Sequence, residues 1–351
     1  MRSLLKMPSY WVSNDSKLNK HLGAIDPETT VVLHSNSCQS VASEIPGLKI
    51  EVPSSTFELA KDILLRTNDL SIKTVIAIGG GKTIDIAKLC FFTNIKERLE
   101  LDASENISAI KQDLTGKKSA TLIVCPSIPG AGSEASKVAV ISEKKCKYPL
   151  AFDSFFADQI IYIDELYQSL NRNQIMIGLF DVLSHLSEGY LSPIGPFDLK
   201  QYAKMGFQAI VRVIKDVHTD KTFDFKEIMV LSSLAGYIQS FTSVGLIHGI
   251  SHTLEGEGYG GHAFLNACYF ASVMDFNAKK SPKVGELTAV LGLSVNEFLT
   301  EIEKITNAFN IEKPIVKDIS EVSLLIAKDV CTRTNVRLAR KSDIESLLQT
   351  S

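Results

Sequence analysis

Two rhythms divide the chain. From Thr30 to about Asp164, short β-branched runs alternate with helical stretches. Thr30–His34 (TVVLH), Thr74–Ile78 (TVIAI), Thr121–Cys125 (TLIVC) and Ile160–Ile163 (IIYI) are apolar almost throughout, without the alternation of a half-exposed strand. Such runs fit a parallel sheet covered on both faces. Between them, Thr56–Arg66 and Thr83–Phe92 carry apolar residues at helical spacing. The pattern predicts an open, wound α/β domain with a Rossmann-like parallel sheet.

Beyond Asp164 the strand signals fade. Asn173–Tyr190, Leu199–Lys215, Phe225–Phe241, His262–Phe276 and Val295–Phe309 repeat apolar residues every three or four positions, so this half should be all-helical. The polar, unpatterned stretch Leu166–Asn173 marks the boundary, which predicts an α/β domain over 1–165 and a helical domain over 166–351. Pro193–Pro196 (PIGP) reads as a break between helices rather than a linker.

A length of 351 residues suits two domains of ordinary size. With 45% hydrophobic and 22% charged residues, global disorder is excluded. Lys and Arg number 37 against 40 Asp and Glu, and this near balance argues against nucleic acid as the main partner. No apolar run reaches the roughly 18 residues of a bilayer-spanning helix, so no membrane partner is expected. Pro8 interrupts the patchily apolar start, Met1–Trp11, which has no signal-peptide core. Six cysteines lie far apart without a CxxC, so they read as free buried thiols in a reducing cytoplasm.

Two loops follow predicted strands. Val75–Lys88 (VIAIGGGKTIDIAK) runs from a strand through Gly79, Gly80 and Gly81 into a helix. Glycines allow a sharp turn and close approach of a ligand, and the unpaired amides opening a helix form an anion site for a pyrophosphate. Asp85 and Lys88 lie one turn further along that helix. The GxGxxG fingerprint is absent, and a tight turn without a ligand is the bland alternative. Pro126–Ser136 (PSIPGAGSEAS) follows the next strand. Two such loops at strand ends favour a nucleotide crevice, where ligands of open α/β sheets bind.

The other candidate chemistry is a set of imidazoles. Of seven histidines, His248, His252 and His262 fall within fifteen residues. His185 lies four residues after Asp181, on one face of a predicted helix. His248 and His252 are also four apart, and the glycines before His262 let the chain fold back. One carboxylate with two or three imidazoles is a ligand set for a divalent transition metal. Asp181, His185, His248 and His262 would leave room for a substrate oxygen, with His252 free to handle a proton. A metal of this kind is a Lewis acid, and zinc lowers the pKa of bound water from about 15.7 to about 7. An Asp–x3–His pair standing alone reads more readily as a helix-surface pair, and the clustering of the other histidines tips the reading toward a metal site. His34 reads as a polar strand end, and His21 and His218 as surface residues.

Together these residues resemble the iron-type alcohol dehydrogenases, in the dehydroquinate synthase-like superfamily. GGGKTIDIAK (79–88) is similar to the family's GGGSxxDxAK, and PSIPGAGSE (126–134) to its PTTxGTGSE. FDVLSHLSEGYLS (180–192) is similar to its helix of metal-binding Asp and His, and HGISHTLEGEGYGGHAFLNA (248–267) to HGxxHxLG…PHGxxNA. The resemblance implies that Asp181, His185, His248 and His262 hold Fe²⁺ or Zn²⁺ and that His252 lies beside the nicotinamide. It implies that Gly79, Gly80, Gly81 and Asp85 meet the cofactor's pyrophosphate region, that Ser127 and Ser133 hold it from the second loop, and that Lys147 approaches the nicotinamide ribose. The implied activity is an NAD(P)(H)-dependent oxidoreductase moving hydride between nicotinamide C4 and a metal-bound alcohol or aldehyde in an interdomain cleft. The implied assembly is a homodimer. A polyol or polyol-phosphate dehydrogenase, a dehydroquinate synthase-like lyase or cyclase, and a non-enzymatic descendant that binds nucleotide without turnover are the alternatives.

The chain departs from the pattern in places. Ala131 replaces the Thr of GTGSE, Gly261 replaces the Pro before the last histidine, and Lys82 places a cation near the phosphates. Where NAD-preferring members often carry an Asp, this chain has Asn36 between Ser35 and Ser37. An acid there would repel a 2′-phosphate, so the local sequence leans toward NADP(H).

Overall fold

The computed structural model describes residues 9–13, 22, 25–101 and 106–349. The readings of His21 and of the stretch before Ser9 lie outside the described residues. The chain divides into two compact units, Met1–Leu170 and Asn171–Ser351.

The first unit is built on a parallel sheet. Its strands are β1 (Ser9–Ser13), β2 (Thr30–His34), β3 (Leu48–Glu51), β4 (Thr74–Gly79), β5 (Thr121–Pro126) and β8 (Gln159–Ile163), in the order β1-β8-β5-β4-β2-β3. Every described pair is parallel. β2 is buried from end to end, and β4 and β5 are buried beyond their first residues. That explains their unbroken apolar runs. β6 (Val138–Glu143) and β7 (Cys146–Ala151) form a separate antiparallel hairpin. The helices are α1 (Gln39–Ser43), α2 (Phe57–Arg66), α3 (Gly81–Phe92), α4 (Ile95–Leu101) and α5 (Ile107–Ile110). Thr56 caps α2 by accepting from the Leu59 amide at 3.3 Å.

Sheet order decides where a ligand belongs. From β2 the chain goes outward to β3, then returns past β2 to β4 and continues through β5 to β8. Connections therefore diverge between β2 and β4, which is a topological switch point. Register aligns the strand ends there, with His34 opposite Ile78 and Glu51, and Gly79 opposite Pro126.

The second unit is helical among the described residues: α6 (Arg172–Leu191), α7 (Phe197–His218), α8 (Phe225–Thr242), α9 (Leu246–Gly256), α10 (His262–Ala278), α11 (Lys283–Ala289), α12 (Val295–Ala308), α13 (Ile319–Lys328) and α14 (Lys341–Gln349). Capping boxes start two of them, Asn171 with Gln174 on α6 and Ser294 with Glu297 on α12. The expected break holds at 193–196, where Pro196 precedes α7. α6 is the central helix. It packs on α7, α8 and α10 and is buried almost throughout from Ile175 to Leu191. Its Ser184 and Ser187 hydroxyls donate to the carbonyls of Phe180 and Leu183, which satisfies them inside the core. No single helix among the described residues is long and apolar enough to cross a membrane.

All six cysteines are free, as expected. Burial does not hold for all of them, because Cys146 is exposed at the turn end of the hairpin and Cys268 is half-buried on α10.

Candidate functional site

Three helices of the second unit bring four donors together. α6 carries Asp181 and His185, α9 carries His248, and α10 opens with His262. One ligand atom from each lies within 4.8 Å of all the others. Asp181 Oδ1 is 3.5 Å from His185 Nε2, 3.8 Å from His248 Nε2 and 3.9 Å from His262 Nε2. The Nε2 atoms of His185 and His248 stand 3.1 Å apart. Donors about 2.1 Å from a shared ion at tetrahedral corners are separated by about 3.4 Å, so these spacings suit one cation. Burial, followed by neighbouring imidazoles, pushes His185 and His248 well below their ordinary pKa. Both are thus neutral with lone pairs available, as metal binding requires.

The outer nitrogens are aimed by partners. Glu188, one turn beyond His185 on α6, is buried and faces the start of α9. The Gly245 amide donates to its Oε2 and the Ile247 amide to its Oε1, each at 2.7 Å. His248 Nδ1 donates to Oε2 at 2.6 Å, which leaves Nε2 as the bare ligand atom. One carboxylate thus caps a helix and selects a tautomer. Burial pushes Glu188 up to about 7, against the pull of the two amides. Ser251 does the same for His262. Its hydroxyl donates to the His248 carbonyl at 3.2 Å and lies 3.1 Å from His262 Nδ1, free to accept from it. His185 Nδ1 is buried with no hydrogen-bond partner. Asn266, wholly buried on α10, directs Nδ2 at Asp181 Oδ1 (2.7 Å) and at the Nε2 atoms of His248 and His262 (3.2 Å each).

His252 is set apart from the four. Its ring stacks on His262 with centroids 5.0 Å apart, and its Nδ1 faces Asp329 Oδ2 at 3.9 Å and Cys331 Sγ at 3.7 Å. Burial works to raise the Asp329 pKa, but His252 together with the Cys331 amide and thiol holds the carboxyl low.

In the first unit, the switch-point edge gathers the expected nucleotide residues. Gly79 ends β4, Gly80 caps α3 and Gly81 begins it. A Cβ on Gly79 would lie 2.6 Å from Thr83 Oγ1, and one on Gly80 would lie 3.0 Å from Ile128 of the second loop. The Ser127 amide donates to the Gly79 carbonyl at 3.1 Å, joining the two loops. Gly132 turns the second loop at φ +64°, a left-handed conformation that suits glycine. Asp85 accepts from the Ser133 hydroxyl and, at 2.9 Å, from the Val140 amide. The buried Lys88 ammonium donates to the carbonyls of Ser133 (2.6 Å), Ser136 (2.8 Å) and Val138 (2.9 Å). Asp85 and Lys88 therefore fix the second loop against α3. Burial lowers Lys88 to about 8, against the charges of Asp85 and Glu134. Lys82 is exposed, and Lys147, half-buried on β7, extends its charge to Asp85. Asn36 follows β2 and is exposed. Its amide donates to Glu51 Oε1 at 3.3 Å.

The model of the iron-containing alcohol dehydrogenases matches residues 35–164, and that of the family's C-terminal domain matches 175–351. The chain belongs to this family. Iron-containing alcohol dehydrogenases use NAD(P)(H) and a divalent metal, and the donor set and glycine turn fit both.

Relatives in the family include a 4-hydroxybutyrate dehydrogenase of Clostridium kluyveri, 26% identical over 234 residues, which are 64% of this chain and 60% of that protein. The 1-propanol dehydrogenase PduQ of Salmonella typhimurium is 25% identical over 88% of this chain and 84% of its own length. The chain spans 39% of the aldehyde-alcohol dehydrogenase 2 of Entamoeba histolytica. Among solved structures, the sulfoacetaldehyde reductase of Bifidobacterium kashiwanohense in complex with NAD⁺ has a TM-score of 0.82 at 15% identity, covering 99% of this chain and 98% of that one. An iron-containing alcohol dehydrogenase of Thermococcus thioreducens has a TM-score of 0.78 at 18% identity, with 97% of each chain covered. These two structures carry the fold.

Sequence reasoning overlooked Glu188, Ser251, Asn266, Asp329 and Cys331. Glu188 carried a signal, since it follows Asp181 by seven residues and His185 by three, on the same helical face. Asn266 likewise stands four residues after His262.

Proposed function

We propose that this chain is a metal-dependent, NAD(P)(H)-dependent alcohol dehydrogenase or aldehyde reductase acting on a small alcohol or aldehyde. The observation that carries the reading is the convergence of Asp181, His185, His248 and His262, with donor atoms all within 4.8 Å of one another. In this reading those four residues hold Fe²⁺ or Zn²⁺. When bound, the metal supplies Lewis acidity at the substrate oxygen, and the nicotinamide supplies the hydride chemistry.

The rest is done by side chains of this chain. Glu188 and Ser251 aim the imidazoles of His248 and His262. His252, its Nδ1 held toward Asp329, moves the proton between the substrate oxygen and solvent. Residues 1–165 bind the nucleotide, with Gly79, Gly80, Gly81, Lys82, Ser127 and Ser133 toward its phosphates, Asp85 fixing Ser133, and Asn36 and Lys147 toward its riboses. Residues 166–351 bind metal and substrate. The setting is cytoplasmic and the assembly a homodimer.

Metal analysis of the purified protein, coupled to an aldehyde-reduction screen with NADH and NADPH, tests this. The expected result is about one equivalent of Fe or Zn and steady oxidation of one nucleotide by a short aldehyde. A protein that binds nucleotide without net oxidation, or that retains no metal, would overturn the reading. Relatives named as propanol, butanol and hydroxybutyrate dehydrogenases favour it over a lyase or a polyol dehydrogenase.

A further inference from the structure

We propose that Glu51 makes this chain prefer NAD(H) over NADP(H), opposite to the lean of the local sequence around Asn36. The inference rests on the reading of the glycine turn as a nucleotide site, and it names which nucleotide that site takes.

Position is the first argument. In doubly wound sheets the pyrophosphate lies at the helix N-terminus after the glycine turn, and a carboxylate at the end of the neighbouring strand binds the adenosine ribose. Here the glycine turn follows β4, and the neighbour across the switch point is β2. β2 ends at His34 without an acid, and Ser35 and Asn36 follow it. The acid arrives from the next strand instead. Glu51 is the last residue of β3, in register with His34, and its Oε1 accepts from Asn36 Nδ2 at 3.3 Å. The pair therefore presents a carboxylate at the ribose position although the residues are fifteen apart in sequence.

Chemistry is the second argument. A carboxylate accepts hydrogen bonds and gives none, so it suits a ribose 2′-hydroxyl and opposes a 2′-phosphate. The small polar groups that would welcome such a phosphate are already engaged. The Asn36 amide donates to Glu51, and the Ser35 hydroxyl lies 3.2 Å from both Ser37 Oγ and Cys38 Sγ. Lys82, exposed in the first turn of α3 that follows the glycine turn, is a cation of the opposite preference, but it belongs to the helix that meets the pyrophosphate rather than to the end of β2 or β3. Glu51 is exposed, so its replacement leaves the core intact.

The test is direct binding of each nucleotide to the full-length protein, read by fluorescence of NADH and NADPH, independent of metal content and turnover. The wild-type protein should bind NADH about tenfold or more tightly than NADPH. Glu51→Gln should bring the two dissociation constants within about threefold by tightening NADPH, with NADH changed little. Glu51→Asp should retain a preference for NADH, and Glu51→Lys should reverse it. Equal or tighter binding of NADPH by the wild type, or an unchanged ratio in Glu51→Gln, would overturn the inference while leaving the nucleotide site standing. Failure of the wild type to bind either nucleotide would overturn the parent reading and this one with it.

Discussion

Glu188 Oε2 and His248 Nδ1 lie 2.6 Å apart, and the same carboxylate accepts the amides of Gly245 and Ile247 at the start of α9. Helix capping and imidazole orientation are thus one act. Glu188→Gln keeps the size but exchanges one acceptor oxygen for an NH₂. That group faces either the Ile247 amide or the Gly245 amide and His248 together, and in the second case it stabilises the tautomer whose Nε2 bears the proton. Metal affinity should fall about tenfold to a hundredfold, measured by competition against a chelator of known affinity. An unchanged metal dissociation constant with a lowered melting temperature would reduce Glu188 to a helix cap.

His262 is the least buried of the four donors, at 21% side-chain exposure against 5% or less for the others. Its removal should therefore separate metal binding from folding. His262→Ala should unfold at about the metal-free wild type's denaturant midpoint yet retain no metal and reduce no aldehyde. A variant with full activity would defeat the ligand assignment.

Gly249 lies on α9 just after His248, and a Cβ there would overlap Thr332 Oγ1 and come within 3.3 Å of the Thr332 amide. Thr332 is pinned, since its hydroxyl donates to the Ile326 carbonyl at 2.8 Å. Gly249→Ala should push α9 outward and cost about 1–3 kcal/mol, seen as a lower urea midpoint with unchanged slope. A neutral or stabilising effect would mean that this contact has slack.

Lys88 offers a pH-dependent test. Its ammonium holds three carbonyls of the second loop, and Lys88→Met should cost about 1–3 kcal/mol near neutrality. Burial sets the folded pKa near 8, against 10.5 for the free side chain. Between those values the unfolded chain holds a proton that the folded chain has released. The Lys88 contribution to unfolding free energy therefore rises with pH across that window. The gap between wild type and Lys88→Met, read from urea melts, should widen from pH 8 to pH 10. A constant gap would show that Lys88 keeps its charge throughout.

Much of the architecture was legible where burial leaves a continuous mark. Thr30–His34 read as a strand covered on both faces because no polar position interrupts it before His34, and β2 is buried throughout. β3 escaped notice because Leu48–Glu51 is four residues long with only Ile50 fully buried, a pattern indistinguishable from a loop. The β6–β7 hairpin was hidden by the lysines around its turn, and α9 by its glycines. At the metal centre the spacing of like residues was visible, and Glu188 shares the helical face of Asp181 and His185, whereas Ser251 carries no signal that sets it apart from other serines. Glu51 was beyond reach for another reason. Its partnership with Asn36 exists through strand register, and no local window contains both ends of it.

Asn266 points its two amide hydrogens at an acid oxygen and two ring nitrogens that would otherwise confront one another. The carboxamide thereby acts as a placeholder, lending partial positive charge where a full one is to arrive. Capture of the ion then amounts to swapping one neutral side chain out of a ready-made nest. Chelated protein should accordingly keep its native shape and reload without refolding.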